Sequence, residues 1–175
     1  MTKALLVVDI QNDYFPGGAM ELVRSPEAAN VASRVQQSFR QQGLPVFNIQ
    51  HVATGANATF FVPGTAGVEI HQSVKPASGE QLIVKHYPNS FRETGLLEIL
   101  RKSEVKELVV VGMMTHMCID TTVRAANDFG FSVTLVANAC ATKDLTYGST
   151  LVSAKDVQAA YLAAIDGSFA KVITA

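Results

Sequence analysis

Runs of aliphatic residues alternate along this chain with segments whose apolar positions recur three or four apart, the rhythm of strand followed by helix. Lys3 to Ile10 is apolar until Asp9 and then breaks into Gln11-Asn12-Asp13, the pattern of a strand buried on both faces with polar residues at its carboxyl end. Ser25-Pro26-Glu27 reads as a helix start with Ser25 as cap, Ala28, Val31, Val35 and Phe39 continue it, and Gly43 ends it. Leu44 to Ile49 and Gln81 to Lys85 predict the next strands. Between them Gln50 to Gly79 has no period and carries Gly55, Pro63, Gly64, Gly67, Pro76 and Gly79, which suits a lid or substrate loop.

Thr94 to Leu100 predicts a short capped helix, Glu107 to Val111 a strand, and Thr115 to Phe129 a helix closed by Gly130. Ser132 to Ala137 is a further strand, and Ala139 to Leu151 reads as a polar loop. A helix capped near Ser153 then runs to Ile165, and Val172-Ile173 makes a last short strand. This order predicts an α/β fold, a three-layer α/β/α Rossmann-like open, mainly parallel sheet with helices on both faces, formed by residues 1–175 as a single domain.

Bulk properties narrow the function classes. Net charge is −1 with scattered Lys and Arg, which excludes a phosphate-backbone footprint, so no nucleic acid and no membrane partner is expected. The first apolar run is too short to span a bilayer and lacks a cleavage site, which predicts a cytoplasmic protein. Only two cysteines occur, Cys118 and Cys140, and both are expected as thiols, Cys140 as a small buried hydrophobe.

Asp9, Lys85 and Cys118 fall at the carboxyl edges of three predicted strands, which a doubly wound sheet gathers along one edge of the domain. An acid, a cation and a thiol are the set that acyl transfer by sulfur requires. Cys118 lies in the first turn of the predicted Thr115–Phe129 helix, where free amides and the positive helix end lower a thiol pKa from about 8.5 toward ~7. Iodoacetamide is therefore expected to label Cys118 much faster than Cys140.

Three segments carry a resemblance: Val7-Val8-Asp9-Ile10-Gln11-Asn12-Asp13-Tyr14-Phe15, Val84-Lys85-His86-Tyr87-Pro88-Asn89-Ser90-Phe91, and Gly112-Met113-Met114-Thr115-His116-Met117-Cys118-Ile119-Asp120-Thr121-Thr122. In this order they resemble the signatures of the isochorismatase-like cysteine hydrolases, over nearly the whole chain. The resemblance implies a triad of Asp9, Lys85 and Cys118, a non-proline cis peptide at Met113–Met114, and an oxyanion hole from the Met114 and Cys118 amides. It further implies hydrolysis of a C–N bond in a small amide, ureide or lactam through a thioester, with no cofactor, in a homo-oligomer, dimer or tetramer. Isochorismatase-type vinyl ether hydrolysis is the alternative within the family, and some of those members lack the cysteine. Nicotinamidases of this superfamily carry a metal-binding Asp-x-His, but Ile49-Gln50-His51 lacks the acid, so no metal is expected. Gln11, Phe15, His51, Phe61, Tyr87, Phe91, His116 and Met117 are the candidate substrate-binding residues, suited to a planar or partly apolar small-molecule substrate.

Rival readings meet specific obstacles. A haloacid dehalogenase-type phosphatase needs Asp-x-Asp where this chain has Asp9-Ile10-Gln11, and a dinucleotide-binding domain needs Gly-x-Gly-x-x-Gly after the first strand. A thiol reductase or peroxide sensor wants a nearby resolving cysteine, and no Cys-x-x-Cys exists. A catalytically idle binding or assembly module of the same fold is the remaining alternative.

Overall fold

The computed structural model describes residues 2–175. In chain order the elements are β1 (Thr2–Val8), α1 (Ser25–Gln41), β2 (Val46–His51), β3 (Gln81–Lys85), α2 (Leu96–Lys102), β4 (Val105–Met113), α3 (Asp120–Asp128), β5 (Ser132–Ala141), β6 (Leu145–Tyr147), β7 (Thr150–Val152), α4 (Ala154–Ile165) and β8 (Lys171–Ile173). Six strands form one parallel sheet in the order β3-β2-β1-β4-β5-β8. This is the α/β architecture that the alternation predicts, with helices on both faces.

The continuous apolar run of β1 exists because both faces of that strand are covered. Leu5 and Val7 pack into a core with Ala28, Ala32 and Phe39 of α1, while Leu6 and Val8 pack into the opposite core with Leu96 and Leu100 of α2 and Val123 and Ala126 of α3. The chain steps outward from β1 through β2 to β3, then returns to the other side of β1 with β4. That reversal leaves a crevice between the carboxyl ends of β1 and β4, the place where ligands bind in sheets of this kind.

The segment 52–79 is no detached flap. It contributes Phe61, Val68, Ile70 and Val74 to the α1-side core and so fills part of the layer that a helix would otherwise occupy. Its only regular pieces are the short 3₁₀ turns Ala66–Val68 and Gln72–Val74.

Three expectations need correction. Ser25 does not cap α1: the helix begins at Ser25 itself, Arg24 precedes it in the left-handed region at φ +61°, and the Ser25 hydroxyl is carried inside without a hydrogen-bond partner. The stretch Ala139–Leu151 is no plain polar loop, because β5 runs on beside β4 to Ala141 and β6 and β7 then pair as an antiparallel hairpin. The β4–β5 register slips on the way, with Val110 opposite Leu135 but Gly112 opposite Cys140. Finally, the expected Thr115–Phe129 helix opens with a wide π-type turn, Thr115–Ile119, in which the Ile119 amide reaches back five residues to the Met114 carbonyl at 3.2 Å. Ser153 caps α4 as predicted, accepting from the Asp156 amide, and Asp144 caps the same helix by accepting from the Ala154 amide at 2.7 Å. Among the described residues no helix is long and apolar enough to cross a membrane.

Candidate active site

Asp9 is the first residue beyond β1 and takes a left-handed backbone, φ +51°, which turns its side chain into the crevice mouth rather than along the strand. The neighbouring β4 reaches that point through Gly112, whose φ is +137° and where a Cβ would stand 2.0 Å from the Val8 carbonyl oxygen. Only glycine lets the two strands close to this distance. The following Met113–Met114 peptide is cis. The chain then enters the wide turn that carries Cys118. Lys85 ends β3, two strands away from Asp9, with its side chain reaching inward past His51 of β2.

These side chains converge on one point. The Lys85 ammonium lies 2.7 Å from Asp9 Oδ2, 3.2 Å from Cys118 Sγ and 3.1 Å from His51 Nδ1, and it donates to the Tyr87 carbonyl at 3.0 Å. Asp9 and Lys85 are 0 % exposed and Cys118 3 %. Neither carboxylate oxygen of Asp9 has a well-aligned hydrogen-bond donor, so the Lys85 charge is what holds this acid in the interior.

Burial penalises the Lys85 ammonium, but Asp9 and Cys118 outweigh that penalty and its pKa is raised. For Cys118, burial raises the thiol pKa, the Asp9 charge raises it further, and Lys85 opposes both; the net shift is far upward. This overturns the low-pKa thiolate expected from the helix start. The helix-end effect is of the order of 1 kcal/mol, whereas desolvation of a buried ion costs several. The resting site is therefore a protonated thiol beside a carboxylate–ammonium pair. Cys140 is also buried, its thiol pushed up to about 12 by burial, and its S–H donates to the Val136 carbonyl.

His51 has its pKa lowered to about 4, first by burial and then by the Lys85 charge, so its imidazole is neutral at pH 7. Lysine offers only donors, which makes Nδ1 the acceptor and places the ring proton on Nε2. Donor atoms of Asp9, His51 and Cys118 lie within 4.8 Å of one another, the set here that could ligate a metal ion. Lys85 Nζ stands within 2.7–3.2 Å of all three and supplies the positive charge at that spot.

The candidate substrate-binding residues separate. His51 and Phe61 sit together beside the triad, ring centroids 5.8 Å apart. Tyr87 lies under the Arg92 guanidinium and offers its carbonyl to Lys85. His116 shares a 2.6 Å hydrogen bond with the Thr142 hydroxyl and meets Tyr161 edge-on, and Met117 is partly exposed in the turn before Cys118. Phe91 is not brought to the site: it packs with Phe129 and Phe131 in the core beneath α2 and α3. Phe15 stacks on His71 at 3.7 Å. Gln11 is fully buried and works as a clasp, donating to the His51 and Val68 carbonyls and accepting from the His51 amide.

Two residues of the first motif were missed as site residues. Asp13 accepts from the Phe61 amide at 2.6 Å and the Ala19 amide at 3.2 Å, with Gly67 pressed so close that a Cβ there would meet Asp13 Oδ1 at 2.1 Å. With Gln11, and with Asn12 donating to the Ala66 carbonyl, it fastens segment 52–79 beside the triad as a fixed wall. Tyr14 is 1 % exposed and packs its ring 4.7 Å from Phe61 and 6.2 Å from Phe60. The run of polar residues Gln11-Asn12-Asp13 just beyond an apolar strand that gives way to Asp9 was the available signal, since ligand crevices in such sheets lie at the carboxyl ends of the strands.

Comparison with known proteins identifies the family and shows the fold shared. The sequence model described as the isochorismatase domain matches residues 3–175. The chain is 51% identical over 174 residues, 99% of its length and 97% of the other's, to the uncharacterized isochorismatase family protein YddQ of Bacillus subtilis (strain 168). It is 36% identical to a streptothricin hydrolase of Streptomyces noursei over 82% of this chain and 51% of that protein. The solved structure of a proposed isochorismatase hydrolase from Oleispira antarctica superposes with a TM-score of 0.95 at 44% identity, covering 99% of this chain and 93% of that one.

Proposed function

This chain belongs to the isochorismatase family, and on that premise we propose that it is a cysteine hydrolase that cleaves a C–N bond of a small amide, ureide or lactam through a thioester. The observation that carries the reading is the Lys85 ammonium held 2.7 Å from the Asp9 carboxylate and 3.2 Å from the Cys118 sulfur, all three buried. An acid, a cation and a thiol have no structural need to share one enclosed point. The streptothricin hydrolase similarity and a nicotinamidase of Escherichia coli, 27% identical over 79% of this chain, favour an amide-type bond.

In the proposed reaction the thiol proton passes to Asp9 as Cys118 Sγ attacks the substrate carbonyl carbon. Lys85 offsets the negative charge that moves between sulfur and carboxylate, so the site stays near neutral throughout. The amides of Met114 and Cys118 hold the tetrahedral oxyanion, a role worth about 3–4 kcal/mol per donor where such donors have been removed. Asp9 then gives its proton to the leaving nitrogen, the C–N bond breaks, and the acyl group remains on sulfur. A water molecule, losing a proton to Asp9, cleaves the thioester and restores the thiol. Every proton is accounted for by Asp9, and no external reductant or oxidant enters.

The test is ammonia release across a panel of small amides and ureides, with Cys118→Ala and Asp9→Asn as controls. Turnover lost in both variants supports the reading. Turnover that persists in Cys118→Ala removes sulfur from the mechanism.

A further inference from the structure

The turn that carries Cys118 is held wide from outside. Were the chain to enter a regular α-helix directly after Met114, the Cys118 amide would be the one bound to the Met114 carbonyl, four residues back. Instead that carbonyl accepts from the Met117 amide at 3.0 Å and the Ile119 amide at 3.2 Å, and among the described residues the Cys118 amide between them does not reach it. A wide turn of this kind is rarer than an α-turn and persists where neighbours impose it. The neighbour here is α4. The buried Thr115 hydroxyl donates to Gln158 Oε1 at 2.7 Å, with the Ala141 carbonyl at 3.2 Å as its other acceptor. Gln158 Nε2 donates in turn to the carbonyls of Ala137 at 3.2 Å and Cys140 at 3.4 Å. Ala137 lies inside the register slip between β4 and β5, and Cys140 closes it. Both carbonyls can only accept, which fixes the orientation of the Gln158 amide and leaves Oε1 for Thr115.

We infer that Gln158 is a positioning residue: with Thr115 it clamps the Thr115–Ile119 turn wider than an α-turn, and so keeps the Cys118 amide free to donate to the oxyanion. The inference rests on the hydrolase reading above and adds to it a residue of α4 that lies outside all three signature segments. A donor aimed in advance at the developing oxyanion acts on the transition state more than on substrate binding, so the clamp shows in kcat and leaves KM alone. Without the clamp the turn tightens, and the Met114 carbonyl passes from the Ile119 amide to that of Cys118.

Three variants test it. Thr115→Val keeps the side-chain shape and removes only the hydroxyl, Gln158→Met keeps the length and removes every polar arm, and Thr115→Ser restores the hydroxyl. Ammonia release from acetamide, benzamide and methylurea, and p-nitrophenolate release from p-nitrophenyl acetate, are followed with each, and Cys118→Ala gives the background. Thr115→Val and Gln158→Met are expected to lower kcat by at least about tenfold, toward the roughly 100-fold loss of a deleted oxyanion donor, with KM within about twofold and Thr115→Ser close to the wild type. The double variant loses no more than the worse single, as one shared clamp requires. A merely structural contact would lower the melting temperature and leave the kcat of the folded protein unchanged. Independently of turnover, amide-proton temperature coefficients measured by NMR are expected to report Met117 and Ile119 as hydrogen-bonded and Cys118 as free in the wild type, and Cys118 as bonded in Thr115→Val and Gln158→Met. The inference is overturned if kcat stays within about threefold in both variants, if KM carries the loss, if Thr115→Ser does no better than Thr115→Val, or if the Cys118 amide is already bonded in the wild type. Absence of Cys118-dependent turnover from every probe overturns the hydrolase reading and the catalytic role with it, while the amide pattern decides separately whether the clamp holds the turn.

Discussion

Replacing Lys85 by Met keeps the side-chain length but strips the charge from the centre of the site. Lys85 and Asp9 are both 0 % exposed and 2.7 Å apart, so no solvent screening softens the change. Breaking a fully buried pair by deleting one partner costs about 3–5 kcal/mol, whereas replacing both can be nearly neutral. For a chain of this length 1 kcal/mol moves the melting temperature by roughly 2–4 °C, so Lys85→Met is expected to melt about 6–20 °C lower. The two halves of the pair are not equivalent. In Asp9→Asn the ammonium keeps the Tyr87 carbonyl at 3.0 Å and His51 Nδ1 at 3.1 Å, while in Lys85→Met the Asp9 carboxylate keeps no aligned donor. Asp9→Asn is therefore the milder lesion, and the double variant recovers about 2–3 kcal/mol relative to the sum of the singles. Calorimetry and urea titration on the four proteins close the cycle. Additivity within about 0.5 kcal/mol, or Asp9→Asn proving the more damaging change, would refute the claim that the acid is held inside by this one cation.

Gly112→Ala puts a Cβ 2.0 Å from the Val8 carbonyl at a φ of +137°, so β1 and β4 must separate; a loss of several kcal/mol and of turnover is expected, on the order of 3 kcal/mol or more, and a melting curve matching the wild type would contradict the close crossing. Iodoacetamide should modify Cys118 and Cys140 slowly and at similar rates in the folded protein at pH 8, because burial raises both thiols, and both rapidly in guanidinium; labelling of Cys118 within minutes while Cys140 stays intact would show a resting thiolate instead. For His51 the folded pKa is about 4 against an ordinary 6.5. The unfolded chain thus binds the extra proton first as pH falls, and the contribution of this group, whole above pH 6.5, is lost on descending toward pH 4. His51→Asn should flatten the stability–pH curve in that window, and an unchanged slope would mean His51 is not neutral in the fold.

The alternation of apolar runs was enough to give the parallel sheet, its helices and the three strand ends that meet, because β1 and β4 are buried on both faces and hydropathy records burial faithfully there. At β3 the same signal inverts. Leu82 and Val84, though apolar, are 47% and 45% exposed on a sheet-edge strand, while Lys85, though charged, is fully buried. What takes Lys85 inside is the charge of Asp9 from another strand, and pairing between distant segments leaves no trace in local pattern. The hairpin β6–β7 was hidden for a related reason: Tyr147 is 88% exposed, Leu151 is 67% exposed, and a two-stranded ribbon with polar neighbours has no buried face to impose alternation. Asp13, Gln11 and Asn12 bond to backbone groups forty to sixty residues away, so their part in fixing segment 52–79 follows from the tertiary structure alone.

The state of the Cys118 thiol shows most clearly what local reasoning omits. Placement after a strand and ahead of a helix argues for a thiolate, yet the Asp9 charge and the loss of solvent both act in the opposite direction and are the larger effects. The sum over the site is a neutral thiol with one carboxylate and one ammonium, near zero net charge in a dry interior. In the proposed reaction the proton has only to cross from sulfur to a carboxylate in the same pocket, with Lys85 within 3.2 Å of both, so charge migrates without a new ion having to be desolvated. A thiolate formed in advance would carry that desolvation cost through every resting moment and be open to oxidation. In that proposed reaction, a thiol held protonated until a carbonyl arrives ties reactivity to occupancy of the site, and the joint burial of carboxylate, ammonium and sulfur is what the proposal uses to keep it so.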